Sequence, residues 1–323
     1  MADTLVRTGT TKRQMPAWLR IVISKVVSAV IVLWAVATVV FFLARLSGDP
    51  VSLLLPPNAT ADQAAALKET LGLNQPLVVQ YFDYLGGLIH LDLGDSLFFH
   101  EPVAQLIGAR LPATLLLAAA ALVISLVIAI PAGCIAAVRR GKSTDTSIMS
   151  AILVGQSTPA FWVGIILILV FAVRLKALPA SGYGSFSHLI LPAVTLAIYS
   201  VAVIARLLRS SLIDVLSVDY IRTARAKGLG EGAVVLSHGL RNASLPIVTV
   251  IGLEIGSLLG GAILTEQIFA WPGIGRLTVE AISNRDFPLV QGTVLFFAAT
   301  FVIVNLIVDL SYTLLDPRVR IEA

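Results

Sequence analysis

Six apolar runs constrain this chain more than any other feature: Val26 to Ala44, Ala113 to Val138, Ile148 to Val173, Leu189 to Leu208, Leu245 to Leu264 and Val290 to Leu310. A helix crosses a hydrocarbon core about 30 Å thick with roughly 20 residues, so each run can span. With 57% hydrophobic and 13% charged residues, the chain is too apolar for a soluble globular domain. Arg7, Lys12, Arg13, Arg20 and Lys25 precede the first run, an arrangement shared by signal peptides and uncleaved anchors. That run exceeds the roughly 7 to 15 apolar residues of a signal core and has no clean small-x-small cleavage site after it, which makes it an anchor. Six helices put both termini on one side of the membrane.

Charge gives the orientation. Sixteen of the 23 Lys and Arg fall in the N-terminal tail, the Arg139 to Lys142 loop, the Arg206 to Arg241 region and the C-terminal tail. The positive-inside rule assigns that side to the cytoplasm. The expected organisation is a cytoplasmic tail over 1–25, a first transmembrane helix over 26–44, an extracytoplasmic cap over 45–112, a five-helix core over 113–314 with a cytoplasmic loop at about 219–244, and a cytoplasmic tail over 315–323. The cap carries seven acidic residues against Arg45, Lys68 and Arg110. Thr60 with Gln63 reads as a capping box opening a helix that Gly72 ends. Asn74 and Pro76 start a second helix, through Tyr81, Phe82, Tyr84 and Leu85 to Gly86.

The stretch from Asp219 to Pro246 is the one long polar segment between apolar spans. Good helix formers predict a helix over Asp219 to Lys227, stopped at Gly228, with Gly230 and Gly232 following and a second short helix from Ala233 to Arg241. Leu245 and Pro246 are then expected to open the fifth span. Basic cytoplasmic loops occur for topological reasons alone, but the order of residues says more. Arg222-Thr223-Ala224, Gly228 and Leu245-Pro246 resemble the "EAA" loop in permease subunits of bacterial ABC importers. Arg-Thr-Ala stands here for Glu-Ala-Ala and the spacing to Leu245-Pro246 is longer, both as in the dipeptide/oligopeptide branch, whose subunits carry a run similar to Tyr220 through Gly228. Further blocks resemble that branch: Gly48-Asp49-Pro50, Leu71-Gly72-Leu73, Gln75-Pro76, Gln80-Tyr81, Asp92 to Ser96, Arg110 to Thr114, Ser157 to Trp162, Leu178 to Tyr183, Ile268 to Gly273, Arg285 to Pro288 and Asp316-Pro317-Arg318. The likeness covers all but about the first fifteen residues.

The resemblance implies an all-α, six-helix integral membrane protein of type I ABC importer permease architecture in the bacterial cytoplasmic membrane. It implies a second, related permease, two cytoplasmic ATPase subunits holding ATP and magnesium, and an extracytoplasmic binding protein. Cargo would be a dipeptide, an oligopeptide, glutathione, a nickel chelate or haem, and no catalytic residue, metal or cofactor is expected in this chain. The docking residues it implies are Tyr220, Ile221, Arg222, Thr223, Ala224, Arg225, Ala226, Lys227, Gly228 and Leu229, with Ile221, Ala224 and Arg225 laid into an ATPase groove.

Two further expectations come from the residues themselves. Glu254 lies nine residues into the fifth span, where an acid costs about 2.5 to 3.5 kcal/mol and normally points into a bundle or wet cavity. Gln156, Ser157 and Pro159 of the third span are the expected facing groups, a proline freeing backbone carbonyls that need a protein-lined or wet surround. The competing reading is a purely structural hydrogen bond. In the cap, Tyr81, Asp83 and Asp92 are expected to meet the binding protein, the alternative being that the aromatics pack onto span ends.

Other function classes fit less well. Cys134 is the sole cysteine. His90, His100, His188 and His238 are scattered, with no His-Glu-x-x-His pair for zinc. Ala136 to Ser143 satisfies a loose phosphate-loop pattern but joins two spans where such a loop needs a strand and a helix. Gly228-Leu229-Gly230 and Gly273-Ile274-Gly275 follow no strand. The pI near 9.4 reflects dispersed basic residues, with no basic domain for nucleic acid. Ion-coupled carriers usually show internal repeats, and none is evident. In a Cys134→Ala background, single cysteines at Asp83, Ser181 and Asn284 should react with impermeant thiol reagents in intact cells and one at Gly230 should not. Labelling of the Asp83 position only from the cytoplasmic side would reverse the assignment.

Overall fold

The computed structural model describes residues 17–46, 51, 55, 60–70 and 72–315. Arg7, Lys12, Arg13, Gly48-Asp49-Pro50, Leu71 and Asp316-Pro317-Arg318 lie outside the described residues. Within them the chain is helical: α1 (Ala17–Leu46), α2 (Ala61–Thr70), α3 (Leu77–Ile89), α4 (Val103–Val138), α5 (Ser143–Ser157), α6 (Ala160–Leu167), α7 (Phe186–Leu216), α8 (Asp219–Ala226), α9 (Arg241–Ile268), α10 (Ile274–Ser283) and α11 (Phe287–Leu315). A π-helical stretch, Ile168–Arg174, extends α6, and another, Val234–Leu240, leads into α9 after the short turn Glu231–Ala233. Five of the helices are long and apolar enough to cross a membrane.

The third expected span departs from the reading of Ile148 to Val173 as one helix. Ser143–Ser157 and Ala160–Arg174 meet at 101°. Pro159 is the cause: it has no N–H, and its ring disfavours helical backbone at Thr158, which is extended at ψ 130. The Thr158 hydroxyl donates to the Val154 carbonyl at 2.7 Å and so satisfies one freed acceptor.

The direction of the neighbouring helices shows that this broken pair crosses the bundle. Ala113, Leu117 and Ala121 of α4 pack with Leu189, Ala193 and Leu196 of α7, and further along Ala129 and Ala137 pack with Ile204, Leu208 and Leu212. α4 and α7 therefore run parallel, and the segment between them must return from one face to the other. α9 runs antiparallel to both, its Ile247 in the second cluster and Leu258, Leu259 and Ala262 in the first. At the start of the return, Arg209 on α7 makes a two-pronged bond to Asp145 on α5 (2.6 and 2.7 Å). At its end the Gly182 N–H donates to the Phe269 carbonyl and the Tyr183 ring meets Trp271 edge-on at 4.8 Å.

The opposite end of the bundle from α8 carries a compact layer. Val103, Leu106 and Ile107 at the start of α4 pack with Ile274, Leu277, Ala281 and Leu289, so α4 starts inside the expected cap, ten residues before Ala113. Two buried acids hold this layer. Asp286 accepts from the Ser96 hydroxyl and from the N–H groups of Leu97 and Phe98, fixing the 95–99 loop to the start of α11. Glu266, wholly buried, accepts from Thr114 Oγ1 at 2.7 Å and the Arg276 N–H at 3.0 Å. Thr114 Oγ1 in turn accepts the Ile274 N–H at 2.9 Å, and Trp271 Nε1 donates to the Ala113 carbonyl. Gly275 is required here, since a Cβ would sit 2.5 Å from the Ile263 Cα. Glu266→Ala should lower thermal stability in detergent by about 2 kcal/mol or more, because buried donors on Thr114 and Arg276 lose their acceptor. A melting curve unchanged from wild type would refute the clamp.

Candidate functional site

Local chemistry at the Asp219 to Pro246 stretch matches the sequence reading at its first helix and departs from it after. α8 ends at Ala226, and Gly228 has φ +80, the left-handed conformation that stops a helix and that glycine adopts without strain. No separate helix over Ala233 to Arg241 precedes a new span. Helical backbone continues from Glu231 through the π-helical stretch into α9, with Pro246 inside that helix. Ile221 and Ala224 are buried within the chain, against Val234 and Leu216. They anchor α8 to its own bundle and leave the other face open. Tyr220, Arg222, Thr223, Arg225, Ala226, Lys227, Gly228 and Leu229 are exposed. Arg225 bonds Glu231 at 2.7 Å across the Gly228 turn, and that hydrogen bond holds the Glu231 carboxyl below the usual carboxylate range. Arg222 pairs with Asp219 at 3.2 Å. Both pairs are solvated, and such pairs contribute only about 0 to 1 kcal/mol.

Mid-bundle, the break at Pro159 opens a cavity of about 230 Å³ between α5, α6, α7 and α9. Its walls include Gln156, Thr158, Tyr199, Ser200, Ser257 and Gly261. Of the expected pathway residues, Gln156 lines it, while Ser157 and Pro159 are exposed and do not. Glu254 is buried at 6% exposure. Its partner is Ser200 of α7, which donates a short hydrogen bond, and not the third-span groups the sequence suggested. Hydropathy located an acid in a span, but the facing helix depends on bundle order, which the run of residues does not encode.

The cap residues separate as well. Tyr81 is turned onto α1: its hydroxyl bonds Thr38 Oγ1 at 2.7 Å and its ring meets Phe41 and Phe42. Tyr84 stacks on Phe41. Tyr81 is therefore an internal anchor, whereas Asp83 and Asp92 remain exposed. The Asp92 carboxylate accepts the Gly94 N–H at 2.8 Å. The Thr60 and Gln63 side chains bond each other's backbone N–H groups, as a capping box does. Sequence reasoning passed over Glu266, Thr114 and Asp145 as individuals. An acid or hydroxyl at a span end was the available signal, and their partners lie far away in the chain.

The described residues thus form a bundle of apolar helices with an exposed polar helix, α8, between two of its spans. The chain belongs to the family described as "Binding-protein-dependent transport system inner membrane component", matched over residues 129–321, with the corresponding N-terminal family region matched over 18–118. It is thus a multi-pass inner membrane component, a permease and not an enzyme; such systems assemble it with a partner permease, an ATPase that binds the ATP, and a binding protein. It is similar to the "Probable peptide ABC transporter permease protein y4tP" of Sinorhizobium fredii (strain NGR234), 41% identical over 93% of this chain and 98% of the relative. It is also similar to the "Glutathione transport system permease protein GsiC" of Escherichia coli (strain K12), 43% identical over 94% and 99%. In fold it resembles a chain of the inward-facing MetNI methionine ABC transporter, with TM-score 0.54 and 17% identity over 66% of this chain and 97% of that one.

If Tyr81 anchors α3 to α1, Tyr81→Phe and Thr38→Val should each lower thermal stability by about 1 kcal/mol, with the double variant no worse than either alone. Additive losses would show that the two hydroxyls act separately.

Proposed function

We propose that the chain is one half of a two-permease, ATP-driven importer of peptides or peptide-like solutes such as glutathione. Both termini and the Asp219 to Pro246 loop face the cytoplasm, α8 seats on one of two ATPase subunits, and the 45–112 cap faces an extracytoplasmic binding protein through Asp83 and Asp92. The observation that carries this reading is the split of α8: Ile221 and Ala224 fasten one face to the bundle while Tyr220, Arg222, Thr223 and Lys227 are left unused on the other. A helix held this way transmits displacement from whatever grips its outer face into α7 and α9, which flank it. The cargo class is supported by the names of the two relatives, and the orientation by the clustering of basic residues.

Coupling tests it. Gly228→Leu forces a side chain into left-handed backbone at about 1 kcal/mol or more, a conformational cost, since the added Cβ itself meets nothing within 4 Å. It should insert normally yet lose ATPase co-purification or peptide uptake, whereas Glu231→Gln, which loses only a solvated pair, should keep most of both. Equal uptake by the two variants would overturn the docking assignment.

A further inference from the structure

The mid-bundle cavity contains hydrogen-bonding groups that the fold itself leaves unused. Gln156, Tyr199 and Ser257 line it, and among the described residues none of the three has an internal partner. Pro159 has no N–H, so the carbonyl of Gly155, another lining residue, loses its helical donor. Polar groups at membrane depth need protein, water or cargo around them. The fold therefore maintains a concave, largely apolar space that carries a few unused polar groups, with Tyr199 and Ser257 on its exposed side.

An acid stands behind one end of this space. On α7, Ser200 is the lining residue nearest α8; on α9, Glu254 lies one turn nearer α8 than the lining residues Ser257 and Leu258. Ser200 therefore closes the cavity on the docking side, and the Glu254 carboxylate, which does not line the cavity itself, stands directly behind it. Ser200 is Glu254's sole hydrogen-bond partner among the described residues, whereas Glu266, Asp286 and Asp145 are each held by two or more. No Lys or Arg lines the cavity. Its volume of about 230 Å³ falls short of the roughly 300 Å³ at which pockets enclose a drug-sized molecule, so it fits the end of a cargo and not the whole.

We propose that this cavity is a cargo station that receives the amino end of a peptide. Gln156, Tyr199 and Ser257 hydrogen-bond the first amide, and the Glu254 carboxylate, exchanging its bond to Ser200, takes the ammonium. The exchange frees Ser200 and opens the cavity on the side toward the ATPases, so cargo recognition and passage share one hydrogen bond. This rests on the importer reading above.

The test uses the whole complex in proteoliposomes, with Ala160→Cys, at a lining position given no part in binding, in a Cys134→Ala background and Val163→Cys as a second reporter in case the first assembles poorly. The probes are trialanine and N-acetyl-trialanine. A water-soluble methanethiosulfonate should modify the reporter cysteine, and trialanine should slow that modification about tenfold, the factor set by one well-made charged contact. The acetylated peptide should slow it much less. Glu254→Gln should erase the difference between the two peptides, and Glu254→Asp should restore it. A merely structural Glu254 would leave the difference untouched. Reporters that never react, or that both peptides protect equally, overturn the station. Wild-type complex that takes up no peptide at all overturns the cargo class as well, whereas peptide uptake without protection removes only the station.

Discussion

The parallel packing of α4 and α7 is the constraint on which the rest of the bundle depends. Helices adjacent in the chain usually run antiparallel through a short turn. Here two parallel helices form the core, so the 139–185 segment must climb back between their opposite ends. The Asp145 to Arg209 pair fastens the bottom of the climb and the contacts of Gly182 and Tyr183 with Phe269 and Trp271 fasten the top. With both ends fixed, the proline break falls at mid-depth, and the cavity is the space that the bent path leaves beside α7 and α9.

Buried acids divide by how fully they are satisfied. Taking a carboxylate out of water costs several kcal/mol unless hydrogen bonds replace the lost hydration. Glu266 and Asp286 sit among backbone N–H groups and hydroxyls at the layer away from α8, and Asp145 is held by a guanidinium and the Gly141 N–H. These three stiffen the junctions between helices. Glu254, with a single hydroxyl partner, contributes less to rigidity than its burial would suggest.

What the sequence made legible was set by short-range chemistry. Thr60 with Gln63, Pro76 ahead of α3, and Gly228 after α8 act within a few residues, and each is where the local rules put it. Pro159 marks the interruption of the third span, but the 101° bend there escaped because hydropathy measures composition and not direction: Ile148 to Val173 stays apolar across the break. Ile221, Ala224 and Tyr81 were assigned to partners because a pattern of apolar or aromatic residues says that a face will be covered, not by what. Val234 covers the first two and α1 the third. Glu254 was legible as a buried acid, but Ser200 as its partner depended on helix order.

The π-helical stretch Val234–Leu240 has a consequence for how α8 and α9 are phased. A π turn closes its hydrogen bonds one residue later than an α turn, and one residue corresponds to about 100° of rotation around a helix. The surplus residue therefore acts as an angular offset between the segment that braces α8 and the face that α9 gives the cavity. Val234 can stay beneath Ile221 while Glu254 stays opposite Ser200, two demands that an uninterrupted α-helix of the same length would put out of phase.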